Sequence, residues 1–208
     1  MSCESTNDEQ MAQVILLRVM QEELKEVPAG EMPSLPEPEP LDGKGDEILA
    51  NEIGDMMIIV GDSLVKKYGK ELNDKLDGFR KGFINNPKKK DFFQTLVEKV
   101  FADGDVNWGR IAMLFYTVAK IAGEVSDITG AVADIFSWTL SYFKKNLLDW
   151  ILKMGGWICS IAAIAFYRVE SVSCPPKPKT DHAIAISCFV SGIILGGFLV
   201  FWLKVKGQ

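Results

Sequence analysis

Beyond residue 47 the apolar positions of this chain recur at spacings of three and four, and they never alternate with polar ones over the length of a strand. That is the period of α-helices and not of sheets. The spacings predict helices over 47–67, 71–83, 89–101, 107–125, 131–147 and 148–169, the last broken at Gly155 and Gly156. Asn85-Asn86-Pro87, Asp103-Gly104-Asp105 and Gly130 punctuate them. Nearer the start, Met11, Val14, Ile15, Leu17 and Leu24 stand at helical spacings behind Asn7 and Gln10, which resemble a capping pair, so a first helix is expected within residues 1–26. The fold class is all-α, with a helical core over 47–170.

Two of these helices differ from the rest. The stretch from Trp108 is apolar around most of its circumference, interrupted mainly by Arg110, Thr117, Lys120 and Glu124. A helix of that profile belongs at the centre of a bundle. Its successor gathers Val132, Ile135, Phe136, Leu140, Phe143 and Leu147 on one side, with Lys144 and Lys145 toward water. Together, 107–147 predict a buried hydrophobic hairpin around which the other helices pack.

From Ala183 to Leu203 run 21 residues without an acidic or basic side chain. A helix of that length is roughly 31 Å long, close to the hydrocarbon thickness of a bilayer. Twelve of the 21 are Leu, Ile, Phe or Val, each favouring insertion, for a total of about 4–7 kcal/mol. Lys177, Lys179 and His182 precede the stretch and Lys204 and Lys206 follow it, as anchors at two interfaces do. The expectation is a single-pass C-terminal tail anchor over 183–203, tethered by a linker over 171–182, with the body on the cytosolic side.

Composition narrows the class of body. Between 27 and 46 fall five of the nine prolines, three glycines and five acids against one Lys. Such a segment buries too little surface to offset its ordering entropy, so a flexible loop is expected. The net charge of −5 and the lack of a basic stripe along the whole chain argue against nucleic acid as a partner. Neither a secretory signal nor an N-terminal myristoylation motif is read at Met1-Ser2-Cys3-Glu4. Cys3, Cys159, Cys174 and Cys188 show no paired spacing and read as reduced thiols. The single histidine lies beside the tail, and no nucleophile and base stand at a suggestive spacing, so an enzyme is not expected, nor a metal or other cofactor.

One stripe carries more than packing. Leu49, Ile53, Met57, Val60 and Leu64 line one helical face, with Gly61-Asp62 set beside it. Glycine costs about 1 kcal/mol in a helix interior relative to Ala, so Gly61 suggests the close approach of another backbone. Spacing alone puts Asp62 off the stripe, as a solvated carboxylate. The block from Ile53 to Leu64 resembles the third homology motif of the Bcl-2 family, a helix that family members insert into a partner's groove. Asn107-Trp108-Gly109-Arg110, opening the central helix, resembles the family's first motif, and Trp150 through Gly155-Gly156-Trp157 resembles the second. The three blocks stand in the family's order, and the likeness covers about residues 46–204.

Within the family the likeness is to the pro-apoptotic, Bax-like effectors, carried by Val60-Gly61-Asp62-Ser63-Leu64, Leu114-Phe115-Tyr116 and Trp138-Thr139-Leu140. Three departures stand out: Met57 replaces the usual Leu, the helix after the stripe is only loosely similar, and the link to the tail, with Cys174-Pro175-Pro176, is long. The resemblance implies a Bcl-2-like bundle and an apoptosis regulator whose partners are other family members, activator helices, further copies of itself and mitochondrial outer membrane lipid. It places the protein in the cytosol and at that membrane. It also implies that Arg110 meets a carboxylate in the groove, Asp62 of an incoming helix supplying the acid. The alternative within the same fold is a protective protein that captures activator helices and stops there. Gln10 to Glu26 lack Tyr and have only Arg18 and Lys25 as basic residues, unlike the first helix usual in protective members.

Overall fold

The computed structural model describes residues 2–25, 27, 33, 35–41, 43–102, 104–161 and 163–164, with side chains throughout these except at 2–6, 64, 67–72 and 75. Six α-helices make up this part of the chain: α1 (Ser2–Leu24), α2 (Lys44–Asn85), α3 (Lys89–Val100), α4 (Trp108–Glu124), α5 (Ala131–Asn146) and α6 (Leu148–Lys153). A one-turn 3-10 helix, Trp157–Cys159, follows. The described residues contain no strand. The linker and tail over 171–203 lie outside the described residues, and among those that are described no helix is long and apolar enough to cross a membrane.

α4 is the axis of the bundle. It touches α1, α2, α3 and α5, and its Ile111, Phe115, Val118, Ala119, Ile121 and Ala122 are wholly buried. This is the arrangement its nearly all-round apolar surface demands, because such a helix has no face to give to water. α5 is its amphipathic partner. Val132, Ile135, Phe136, Phe143 and Leu147 are buried as the periodicity requires, Leu140 only partly, and Lys144 and Lys145 are exposed. The hairpin therefore has one hidden helix and one that shows a polar face.

α1 contributes more than its sequence suggests. Ala12, Ile15, Leu16, Val19 and Met20 have no exposed surface, and the helix packs on α2, α4, α5 and α6. It begins at Ser2, so Asn7 and Gln10 are interior positions and do not form a capping pair. Their side chains reach sideways instead, Asn7 donating to Asp46 at 3.2 Å and Gln10 to Glu39 at 3.2 Å. Part of the acidic segment thereby lies along α1, with Leu35 and Leu41 packed on the core.

The two helices expected over 47–67 and 71–83 are one, a 42-residue α2. Between them stands only Gly69, with no proline and no capping residue; a lone glycine costs about 1 kcal/mol, which packing on either side outweighs. Asp46 and Glu47 in the first turn complement the positive end of the helix. The N-terminal half of α2 lies against α1 and α4, while Phe79 and Phe83 in its other half meet Phe92 of α3 and Trp138 of α5.

A clamp fixes this second half. Arg80 donates to both carboxylate oxygens of Asp127 at 2.7 and 2.6 Å and to the Glu124 carbonyl, tying α2 to the turn between α4 and α5. The hydrogen bonds from Arg80 hold the Asp127 carboxyl below its ordinary range, and the same bonds raise the guanidinium. A carboxyl lowered by folding stabilises fully above its unfolded pKa of about 3.9, and that contribution is lost as pH falls through the lower folded value. Both groups are substantially exposed, so Asp127→Asn is expected to cost at most about 1 kcal/mol at neutral pH. The difference should vanish in acid, as urea denaturation of the two proteins at both pH values would show.

Candidate functional site

The face of α2 that carries the stripe is turned into the bundle. Ile53, Met57 and Val60 are buried, together with Ala50 and Ile58, and Leu49 is partly buried against the core; the Leu64 side chain is not among those described. Two glycines seven residues apart mark where α2 presses on its neighbours. A Cβ placed on Gly54 would lie 2.8 Å from Cγ of Arg18 on α1. A Cβ on Gly61 would fall inside the ring of Tyr116 on α4. Close approach at Gly61 was expected, but of a backbone; the neighbour is an aromatic ring, 2% exposed, that stacks over the bare Cα.

Polar contacts frame this apolar face. Arg18 pairs with Asp55 at 2.7 Å and with Glu22 at 3.3 Å. Glu22 is held below the ordinary glutamate range chiefly by a hydrogen bond from Lys25. Lys120 on α4 meets Glu23 on α1 at 2.5 Å, and its ammonium lies 5.5 Å from the Tyr116 ring centre. The Tyr116 hydroxyl donates to Asp62 at 3.1 Å. Asp62 is thus exposed, as spacing predicted, yet it takes part in the α2–α4 contact.

The first motif forms a self-contained helix start. Asn107 caps α4, its side chain accepting from the Arg110 amide at 2.9 Å. Trp108 is buried and Gly109 partly exposed in the first turn. Arg110 is 2% exposed, and its guanidinium donates to the Asp105 carbonyl at 2.7 Å. Within the chain, Asp62 meets α4 at Tyr116, six residues beyond Arg110. Within the described chain Asp62 therefore meets Tyr116 and not Arg110.

The second motif packs on the same end of α4. Gly155 and Gly156 adopt φ of 92° and 77°, a region open to glycine at no steric cost, and their turn brings Trp157 back onto the core. Trp157 is 1% exposed, with ring centres of Trp108, Phe115 and Phe143 at 5.6, 6.2 and 5.7 Å. Its indole donates to the Asp8 carbonyl of α1 at 2.9 Å. Trp150 packs edge-on against Trp108 at 5.1 Å. The first and second motifs, 40 residues apart in sequence, are thus one aromatic cluster that also holds α1.

Sequence reasoning passed over Gly54, Arg18, Asp8 and the role of Tyr116. A glycine two helical turns before Gly61 was a legible sign of a second close contact; nothing in the sequence pointed to the Asp8 carbonyl.

Residues 57–157 match the family model described as apoptosis regulator proteins, Bcl-2 family. That span runs from the middle of the stripe to the tryptophan that completes the aromatic cluster, so it takes in the latter part of the α2 block and both of the others, in order. The chain is similar to that family over just under half of its length. Among characterised relatives, it is 29% identical to apoptosis regulator BAX of Bos taurus over 96 residues, 45% of this chain and 50% of that protein. It is 37% identical to apoptosis regulator Bcl-2 of Gallus gallus over 70 residues, 31% of this chain and 28% of that one. The matched part thus spans half or less of the length of these relatives. Among solved structures, the fold is similar to that of Geodia cydonium BHP2 in complex with Lubomirskia baicalensis Bak-2. The TM-score is 0.61 at 18% identity, covering 80% of this chain and 98% of that one. The Bcl-2-like all-helical bundle expected from the motifs is the observed fold.

Proposed function

We propose that this protein is a pro-apoptotic effector of the Bcl-2 family. An activator helix binds its groove beside the first motif, α2 leaves the core and exchanges between copies, and the resulting oligomers permeabilise the mitochondrial outer membrane. The observation that carries this reading is that the α2 motif is folded away against α1 and α4. Its apolar face cannot serve as a ligand helix until it is released, so the resting chain is closed and needs a trigger. The likeness to BAX supports the direction of action, and the complex of the sponge relative with Bak-2 supports other family members as partners. No step calls for a catalytic group, a metal or another cofactor.

The hairpin fits a membrane role on its lengths. α4 has 17 residues and α5 has 16, so each is about 25 Å long, short of the roughly 30 Å hydrocarbon core. α5 keeps Asp134, Lys144 and Lys145 on an exposed face. That geometry favours a hairpin lying in the plane of the interface, with the segment 183–203 acting as the spanning anchor.

A second reading, protective capture of activator helices, is favoured by the 37% identity to Bcl-2 of Gallus gallus over 70 residues. Liposomes of mitochondrial lipid composition loaded with fluorescent dextran separate the two. Release that depends on an activator helix peptide is the expected result. No release, together with inhibition of an established effector in the same vesicles, would instead assign the protective role.

A further inference from the structure

The corner between α2 and α3 carries a charge opposite to that of the chain. From Arg80 to Lys90 lie five of the 23 basic residues and none of the 28 acidic ones. Arg80 is consumed by its clamp to Asp127. Lys81, Lys88 and Lys90 are exposed, and among the described residues they pair with no carboxylate. Lys89 lies over the Phe83 ring at 5.2 Å, which folds the lysine run back beside the end of α2. There Ile84 stands 50% exposed, one of few large apolar side chains so placed.

The corner is built and not merely a charged loop. Asn86 closes α2 through its amide, which donates to the Gly82 carbonyl at 3.0 Å, and its side chain accepts from the Lys88 amide at 2.8 Å. Lys88, Lys89 and Lys90 are thereby set at the start of α3, where the helix dipole and their mutual repulsion both disfavour cations. A solvated face has no need of lysines at that end of a helix. An anionic surface relieves the penalty.

We propose that this corner is a docking surface for an anionic lipid bilayer, with Lys81, Lys88, Lys89 and Lys90 facing the headgroups and Ile84 dipping among them. The nearest counter-charges in sequence, Asp77 and Asp91, are exposed and too few to cancel it. Lipid suits the residue types better than an acidic protein does. Lysine is a hydrated point charge on a flexible stem, fitted to a smeared charge, whereas protein interfaces enrich Arg and deplete Lys. The one Arg of the corner is the one engaged elsewhere. Docking by this surface precedes insertion and stands whether the protein kills or protects.

The test uses the full chain with vesicles of phosphatidylcholine alone or mixed with phosphatidylserine, read by co-sedimentation and by acetylation of individual lysines. Each Lys near an anionic leaflet contributes about fivefold in affinity. Lys88→Glu with Lys90→Glu is therefore expected to weaken binding to the anionic vesicles by at least tenfold, leaving binding to neutral vesicles and the thermal melt unchanged. Lys44→Glu with Lys153→Glu, an equal charge change at exposed sites elsewhere, should retain most of the binding. In the unaltered protein the anionic vesicles should shield Lys81, Lys88 and Lys90 from acetylation. Unshielded lysines, or equal losses from the two variant pairs, would overturn the proposal. So would tighter binding to polyglutamate than to vesicles, which would make the partner an acidic protein. Dextran release is a separate readout, so failure here and failure of the effector reading are distinguishable.

Discussion

Replacing Gly61 by alanine is expected to destabilise the resting fold by about 1–3 kcal/mol, the usual cost of overpacking a tight core. The added methyl would fall inside the Tyr116 ring, and that ring, 2% exposed and bonded to Asp62, has little room to retreat. The effect should depend on the ring. In a Tyr116→Ala background the same substitution should cost little, so a double-mutant cycle by urea denaturation would show a coupling well above 0.5 kcal/mol, in the range of residues in contact. Independent, additive effects would mean that α2 and α4 are not packed as described. Gly61→Glu goes further, forcing a carboxylate into the same contact. It is expected to abolish self-association and dextran release together, and an unchanged oligomer would sink the helix-exchange model.

Trp157→Ala should be the most damaging change in the aromatic cluster. The side chain is buried among Trp108, Phe115 and Phe143 and bonds the Asp8 carbonyl. Its removal leaves a large cavity and takes the indole donor from the Asp8 carbonyl, at a cost of about 3–5 kcal/mol. For a chain of this size that corresponds to a fall in Tm of roughly 6–20 °C. Trp157→Phe keeps the ring stack and loses only the indole donor, so it should cost about 1 kcal/mol. A Trp157→Ala melt within a few degrees of the unaltered protein would show that α1 is not held through this residue.

Much of this architecture was legible because helical periodicity reports burial directly. The nearly all-round apolar surface of α4 could only be a bundle centre, and Lys144 and Lys145 marked the water side of α5. What was misread has local causes. A break was expected between 67 and 71, yet no proline or capping residue stands there to stop a helix, so α2 runs on. Asn7 and Gln10 had the chemistry of a cap, but α1 starts earlier and their side chains serve the acidic segment. Leu49 falls at the edge of the buried face, which Ala50, Gly54 and Gly61 share with the stripe.

At the candidate site, the motifs name residues without their partners. Arg110 reads as a fork awaiting a carboxylate, whereas in the resting chain it is buried and turned back to the Asp105 carbonyl. Gly61 announces a close contact without saying with what. Pairings such as Tyr116 with Gly61, Arg18 with Gly54, or Trp157 with Asp8 join elements far apart in sequence, and no spacing rule within one helix contains them.

The central claim is that α2 must leave α1 and α4 for the protein to act, and a reversible lock between α1 and α2 tests it most directly. A Cβ on Gly54 lies 3.0 Å from that of Arg18, and a small shift reaches the roughly 3.5–4.5 Å of a disulfide. In a background with the four native cysteines replaced by serine, Arg18→Cys with Gly54→Cys is oxidised and assayed for activator-dependent dextran release. The account predicts that the oxidised protein releases nothing and that reduction restores release. Equal release by the oxidised and reduced forms would contradict it.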